Sequence, residues 1–257
     1  MELPGLGAVV TGGVSGLGLA TAEALEHGGA RVVAMDRREP PSGNTRLFVR
    51  ADVSNDEEVD AAMVQAAQHL GAIHVAVNCA GMGVSGLSVG EHRTLTARAF
   101  RKVLEVNAVG TFNVCRSVAE QMLRNTPNAD GERGVLINVS STAALEGQIG
   151  TTAYAASKAA VIGLMLPLAR ELAPFGIRIV TIVPGTFETE MFRAAAPEMQ
   201  EWLLESTPFP PRVGKPAEFA SLVRQIIENP MLNGELIRLD GMLRLGPGRS
   251  EWFHSSG

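Results

Sequence analysis

The sequence predicts an α/β protein: one doubly wound domain whose parallel sheet is covered by helices on both faces. Short apolar runs of strand length, rich in valine, recur along the chain, and stretches of helical spacing separate them. No linker, low-complexity tract or internal repeat breaks this alternation across the 257 residues. Strands separated by helices are joined by crossovers, which make the pairing parallel and bury both faces of the sheet. A chain of this length with 46% hydrophobic residues can bury a full core as one domain.

The elements follow in order. Leu6–Thr11 and Arg31–Asp36 read as buried strands, with a helix over Leu17–His27 between them that stops at Gly28-Gly29, a plausible C-cap. Leu47–Ala51 is a third strand. Asp56–Leu70 is an amphipathic helix whose first turn is acidic, as the helix dipole favours. Ile73–Asn78 is strand four, and a long helix is expected over Thr96–Arg124. Val135–Ser140 is strand five, Thr152–Ala173 a long helix, Ile177–Val183 strand six and Leu236–Leu239 the last strand. Prolines and a short helix at Pro197–Leu204 make Thr186–Gly214 read as a flap over the substrate rather than core.

Composition narrows the function classes. A net charge of −5, from 22 basic and 27 acidic residues, leaves no electrostatic footprint for nucleic acid. Two cysteines, Cys79 and Cys115, make no disulfide framework and fit a reducing compartment. The N-terminus has neither a basic nor an apolar targeting region, and no run of eighteen apolar residues occurs. A soluble protein of the cytoplasm, with no membrane partner, is expected. The histidines are dispersed and show no metal spacing.

Two constellations carry chemistry. The first is the loop Thr11-Gly12-Gly13-Val14-Ser15-Gly16-Leu17-Gly18, which leaves a predicted strand and opens a predicted helix. Glycine permits positive φ and lets backbone approach a pyrophosphate, whose charge then sits at a helix N-terminus. Glycine-rich turns are common, but Asp36 ends the next strand eighteen residues after Gly18, near the separation at which an acid reaches a ribose. Loop, strand and acid together point to a Rossmann-type dinucleotide site. The acid there repels a 2′-phosphate and favours NAD over NADP, although Arg37 and Arg38 follow it. The second constellation is Ser141, Tyr154 and Lys158. Tyr154 is the only tyrosine, and Lys158, four residues on, shares its helix face. A phenol titrates near ~10 and is a poor base at neutral pH. A nearby ammonium and a cationic nicotinamide ring lower that value, so that proton transfer at a substrate oxygen becomes feasible. The same Tyr-x-x-x-Lys spacing also occurs by chance on surface helices.

In order and spacing, the glycine loop, Asn78-Cys79-Ala80-Gly81, Asn107, Ser141 and Tyr154-x-x-x-Lys158 resemble the short-chain dehydrogenase/reductase family over nearly the whole chain. The resemblance implies that Tyr154 is the acid–base group and that Lys158 tunes it while holding the nicotinamide ribose. It further implies that Ser141 positions the substrate oxygen and that Asn107 supports a water-linked proton relay. Cys79 stands where the family usually has alanine; a small buried thiol packs similarly. Phe112-Asn113-Val114, Glu146-Gly147-Gln148, Leu166–Arg170, Ile226–Pro230 and Leu232–Gly241 resemble, within that family, the type-2 3-hydroxyacyl-CoA dehydrogenases. The implied NAD site comprises Gly12, Ser15, Gly16, Leu17, Gly18, Asp36, Asp52, Val53, Asn78, Cys79, Ala80, Gly81, Tyr154, Lys158, Pro184, Phe187 and Thr189. Gln148, between Ser141 and Tyr154, is expected to face an acyl-CoA or similar substrate, although a solvated loop position fits it equally. The segment Met82–Thr96 is shorter than in that group and the tail Pro247–Gly257 longer. The resemblance implies a homotetramer, with apolar residues on the 152–173 helix and the last strand left for contacts. Two other functions stay open: a 3-oxoacyl carrier-protein reductase, against whose usual NADPH Asp36 weighs, and a catalytically silent dinucleotide-sensing scaffold, which would not need Ser141, Tyr154 and Lys158.

Overall fold

The computed structural model describes residues 1–40, 43, 45–90 and 94–249, so the tail beyond residue 249 lies outside the described residues. Among the described residues seven strands form one sheet: β1 (Gly7–Thr11), β2 (Arg31–Asp36), β3 (Leu47–Arg50), β4 (Val75–Asn78), β5 (Gly134–Val139), β6 (Ile177–Pro184) and β7 (Glu235–Leu239). Their spatial order is β3-β2-β1-β4-β5-β6-β7, and every neighbouring pair is parallel. Strands β1, β4, β5 and β6 are buried along their whole length, which is why their sequences run apolar without alternation.

Two cores flank the sheet. On one face, α1 (Gly16–His27) and a helix over Pro216–Glu228 set Leu25, Phe219 and Val223 over Val10, Val77, Ile137 and Ile182. On the other, α2 (Asp56–Leu70) and a helix over Gly110–Met122 set Val59, Met63, Val114, Val118 and Met122 over Val9, Ala76, Leu136 and Ile179. Asn55 caps α2: its side chain accepts from Glu58 N at 3.2 Å and donates to Glu58 Oε1 at 3.1 Å.

Two features depart from expectation. The helix expected to run unbroken from Thr96 to Arg124 is three pieces: α3 (Ala97–Leu104), a π turn (Glu105–Val109) and α4 (Gly110–Met122). At the junction a Cβ on Gly110 would lie 2.7 Å from Val53 Cγ2, so only glycine lets α4 pack this close. The helix Pro216–Glu228, to which the sequence expectation gave no element, packs against α1. Past its C-terminus, buried Arg178 on β6 donates to the carbonyls of Ile226, Ile227 and Leu232 and pairs with Glu132 at 2.7 Å, satisfying acceptors that a helix end leaves open.

The remaining helices are α5 (Thr152–Leu172), α6 (Glu190–Arg193) and α7 (Pro197–Glu205), which makes Pro216–Glu228 α8. By length and composition the α5 stretch Thr152–Phe175 is apolar enough to cross a membrane, with mean hydropathy 1.3. It instead lies along β6 and buries Ser157 and Lys158 within the fold.

Candidate active site

The strand order reverses between β1 and β4, and the crevice outside their C-terminal ends is where open parallel sheets bind ligands. The glycine loop sits there. Gly12 has φ +64° and its Cβ would lie 2.9 Å from Ala80 N, while a methyl on Gly18 would meet the Gly12 carbonyl oxygen. Both positions therefore need glycine for the loop to pack on the Cys79–Ala80 backbone. Thr11 Oγ1 accepts from Ala80 N at 3.0 Å and ties the two segments together. Ser15 is the N-cap of α1, Gly16 has φ +53°, and Leu17 and Gly18 lie in the first helical turn. Amides of a helix N-terminus present partial positive charge, the chemistry that suits a pyrophosphate.

Asp36 ends β2, nearly buried, and accepts from Arg38 N at 3.0 Å. The Arg38 guanidinium reaches Ser15 Oγ at 2.6 Å and approaches Glu190 on α6 at 3.4 Å. Beyond it a cavity of about 470 Å³ is lined by Arg37, Arg38, Arg50, Ala51, Asp52 and Glu58. Burial works to raise the Asp52 carboxyl, but the Ser54 hydroxyl and amide and the Lys102 charge outweigh it and hold the group below the usual range. Val53, by contrast, is buried: it packs on Gly110, and its carbonyl accepts from Asn113 at 3.0 Å.

The second constellation converges at the C-terminal ends of β4 and β5. Tyr154, on the first turn of α5, is half-buried, and Lys158 Nζ lies 5.9 Å from its ring centroid. That ammonium donates to Val139 O at 2.9 Å, and the Lys158 carbonyl accepts from Ser140 Oγ at 2.8 Å. Burial pushes Lys158 down to about 8. Burial pushes the Tyr154 phenol up, with Ser141 acting the other way, so the protein part of the site holds a protonated phenol at neutral pH. Ser141, two residues past the end of β5, is the N-cap of a 3₁₀ turn, its hydroxyl accepting from Ala143 N at 3.2 Å. The π turn aims Asn107 inward. The amide of this fully buried residue accepts from Met82 N and donates to Met82 O, both at 2.8 Å, and donates to Ser157 Oγ at 2.9 Å. A Cβ on Gly81 would lie 3.2 Å from Asn107 Oδ1 and 3.4 Å from Lys158 Nζ, so Gly81, Asn107 and Lys158 meet at one point.

Other expected residues stand differently. The Asn78 amide donates to Asn138 at 2.8 Å and approaches Cys115, so it binds β4 to β5 within the core rather than offering its side chain to the cleft. The Phe187 ring packs edge-on against Phe219 at 6.2 Å and against Gly214, anchoring the segment after β6 to α8. Thr189 caps α6 and its methyl faces Gly16 across the crevice. Pro184 ends β6 in register with Leu239. Burial pushes the Cys79 thiol up to about 12, which removes the thiolate that redox chemistry would need. Gln148 is half-buried, its backbone fastened to Thr151 in both directions. Sequence reasoning missed Met191, whose sulfur stands beside Gly83 and Tyr154, and Arg50 and Glu58 in the cavity wall. The contacts that place Met191 arise only in the folded chain; the Asn55-x-x-Glu58 capping pattern was legible for Glu58.

The profile of the short chain dehydrogenase family matches residues 7–200. Human 3-hydroxyacyl-CoA dehydrogenase type-2 is 48% identical over 255 residues, covering 96% of this chain and 98% of that protein. A 3-oxoacyl-(acyl-carrier-protein) reductase of Mycobacterium tuberculosis is 33% identical, over 93% and 92% of the two chains. The crystal structure of 3-hydroxyacyl-CoA dehydrogenase type-2 from Mycobacterium avium superposes with a TM-score of 0.87 at 38% identity, covering 96% of this chain and all of that one.

Proposed function

The chain belongs to the short chain dehydrogenase family, and from that premise we propose that it interconverts 3-hydroxyacyl-CoA and 3-ketoacyl-CoA with NAD(H). The observation that carries the chemistry is the meeting of Lys158 and Asn107 at Gly81, with the Tyr154 ring 5.9 Å from Lys158 Nζ, beside a glycine loop that opens a helix. The near full-length likeness to the type-2 hydroxyacyl-CoA dehydrogenases supports the acyl-CoA substrate.

The residues fit a nicotinamide dinucleotide. The Ser15–Gly18 amides would hold the pyrophosphate, Asp36 would accept from the adenosine ribose hydroxyls, and Lys158 would hold the nicotinamide ribose. When bound, the nicotinamide supplies or takes up the hydride. Tyr154 Oη gives a proton to the carbonyl oxygen in reduction and removes it from the alcohol in oxidation, while Ser141 holds that oxygen. Segment 186–214, with Thr189 against Gly16, acts as the flap over the substrate. NAD is favoured over NADP because a 2′-phosphate would stand against Asp36. We further propose a homotetramer working in the cytoplasm on fatty acyl substrates. The apolar outer faces of α4 and α5 support the assembly.

Consumption of NADH with acetoacetyl-CoA tests the reaction. Turnover that exceeds the rate on a 3-ketoacyl carrier-protein thioester is expected; the reverse ranking would replace this reading with the carrier-protein reductase. No turnover of either would favour a silent dinucleotide binder.

A further inference from the structure

The loop that joins Ser141 to Tyr154 is fastened from outside the site by a cluster of charges. Glu146 stands at its centre. Its Oε1 accepts from Arg238 Nη1 on β7 at 2.8 Å and lies 3.7 Å from Arg244 Nε, and its Oε2 accepts from Leu245 N at 3.0 Å. Arg238 also donates to Asp240 Oδ2 at 2.7 Å and to the Leu243 carbonyl at 2.8 Å, and Arg244 donates to Asp240 Oδ2 at 3.1 Å. Three residues further along the loop, Ile149 N donates to Pro247 O at 2.8 Å, so the loop and the segment after β7 are stitched at two points.

These contacts are not a loose surface pair. Glu146 and Arg238 side chains are 21% and 23% exposed and Asp240 only 8%, and Leu243 between them is fully buried. Partial burial strengthens charge-assisted bonds, and a shared network costs less side-chain freedom per contact than isolated pairs do. The Arg238 guanidinium and the Leu245 amide hold the Glu146 carboxyl below its usual range, as a firmly held carboxylate requires. On the other side, Glu146 N bonds to Thr142 O at 2.9 Å, within the turn that Ser141 caps. Gln148 follows two residues later.

We propose that Glu146 is a positioning residue for substrate: it clamps the 145–150 loop to the segment 240–247, and thereby sets where Ser141 and Gln148 stand relative to the Tyr154 hydroxyl. The proposal rests on the 3-ketoacyl-CoA reading. It makes the chain after the last strand a brace behind the substrate loop, none of whose residues handles the reacting atoms.

The test compares wild type, Glu146→Ala and Glu146→Gln by steady-state kinetics with acetoacetyl-CoA and NADH, NADH binding, thermal unfolding and amide hydrogen exchange. Glu146→Ala is expected to raise KM for acetoacetyl-CoA on the order of tenfold, since small misplacements of a positioning group are costly in rate terms. NADH affinity should stay within twofold, and the Ile149 and Leu245 amides should exchange faster. Glu146→Gln, which keeps one acceptor, should fall between. An unchanged KM in Glu146→Ala overturns the proposal, as do parallel losses in NADH affinity and KM accompanied by a lower Tm. Absence of turnover by the wild type overturns the reaction reading itself, a result distinct from either.

Discussion

Tyr154→Phe removes only the phenolic oxygen and leaves the ring beside Gly83. Loss of a general acid–base group typically costs ~10²–10⁴-fold in rate. The variant should bind NADH as the wild type does, by fluorescence titration, and nearly cease turnover; retention of a tenth of wild-type kcat would be incompatible with Tyr154 as proton donor. Burial raises the phenol, so the protonated form needed for reduction prevails at neutral pH and the phenolate needed for oxidation grows as pH rises. The oxidation rate should therefore climb through the alkaline range while the reduction rate falls there. Lys158→Ala should weaken NADH binding, because it removes the side chain that meets Gly81 and Asn107 in the cleft. Asp36→Ala should narrow the kcat/KM ratio of NADH over NADPH, since the same carboxylate attracts a ribose hydroxyl and repels a phosphate; an unchanged ratio would mean that Arg37 and Arg38 decide it. The residues of these predictions were all legible in the sequence, because glycine turns, an acid at a strand end and Tyr-x-x-x-Lys encode their chemistry within a few positions. Glu146 and Met191 were not legible as site residues, since their partners lie far off in the chain: Leu245 is 99 residues from Glu146, and Met191 meets Gly83.

At the scale of elements, boundaries read from the apolar pattern lie within about two residues of the structure for the seven strands described; for the buried strands β1, β4, β5 and β6 this follows from their uninterrupted apolar signature. Helix α8 shows the opposite case. Its signals were present: Pro216 at the first turn, Glu218 bonding Lys215 N at 2.7 Å, and apolar Phe219, Val223, Ile226 and Ile227 at helical spacing. Lys215 in place of a small polar cap, directly after a proline-rich stretch, obscured the start. Phe219, fully buried against Phe187 and α1, makes α8 indispensable to its face of the sheet. Phe219→Ala should cost about 3–5 kcal/mol in denaturant unfolding. A loss below ~1 kcal/mol would show that this core collapses around the cavity.

The whole molecule presents an unusual outer surface where α4 and α5 lie. Val109, Phe112 and Leu166 are 48%, 41% and 43% exposed, and the α5 helix that carries Tyr154 and Lys158 is largely apolar on its far side. A monomer rarely leaves such a face in water. Sedimentation at micromolar concentration should give a tetramer, and pairing Phe112→Asp with Leu166→Arg should yield a smaller species. A wild-type monomer would refute the assembly. The fold class was legible from alternation alone, whereas the expectation of an assembly needed the resemblance beside the apolar pattern, because an outward apolar stripe reads like a buried one until the helix is placed on the sheet.

The π turn at Glu105–Val109 amounts to one additional residue lodged in an otherwise regular helix. Such a feature is out of reach of point substitution and arises or disappears only when a codon is gained or lost. Removing a single codon there would rotate Asn107 about 100° relative to α4 and release Met82. Deletion of one residue there should therefore lower turnover and thermal stability together, and an unaffected variant would show that the π turn does not position Asn107.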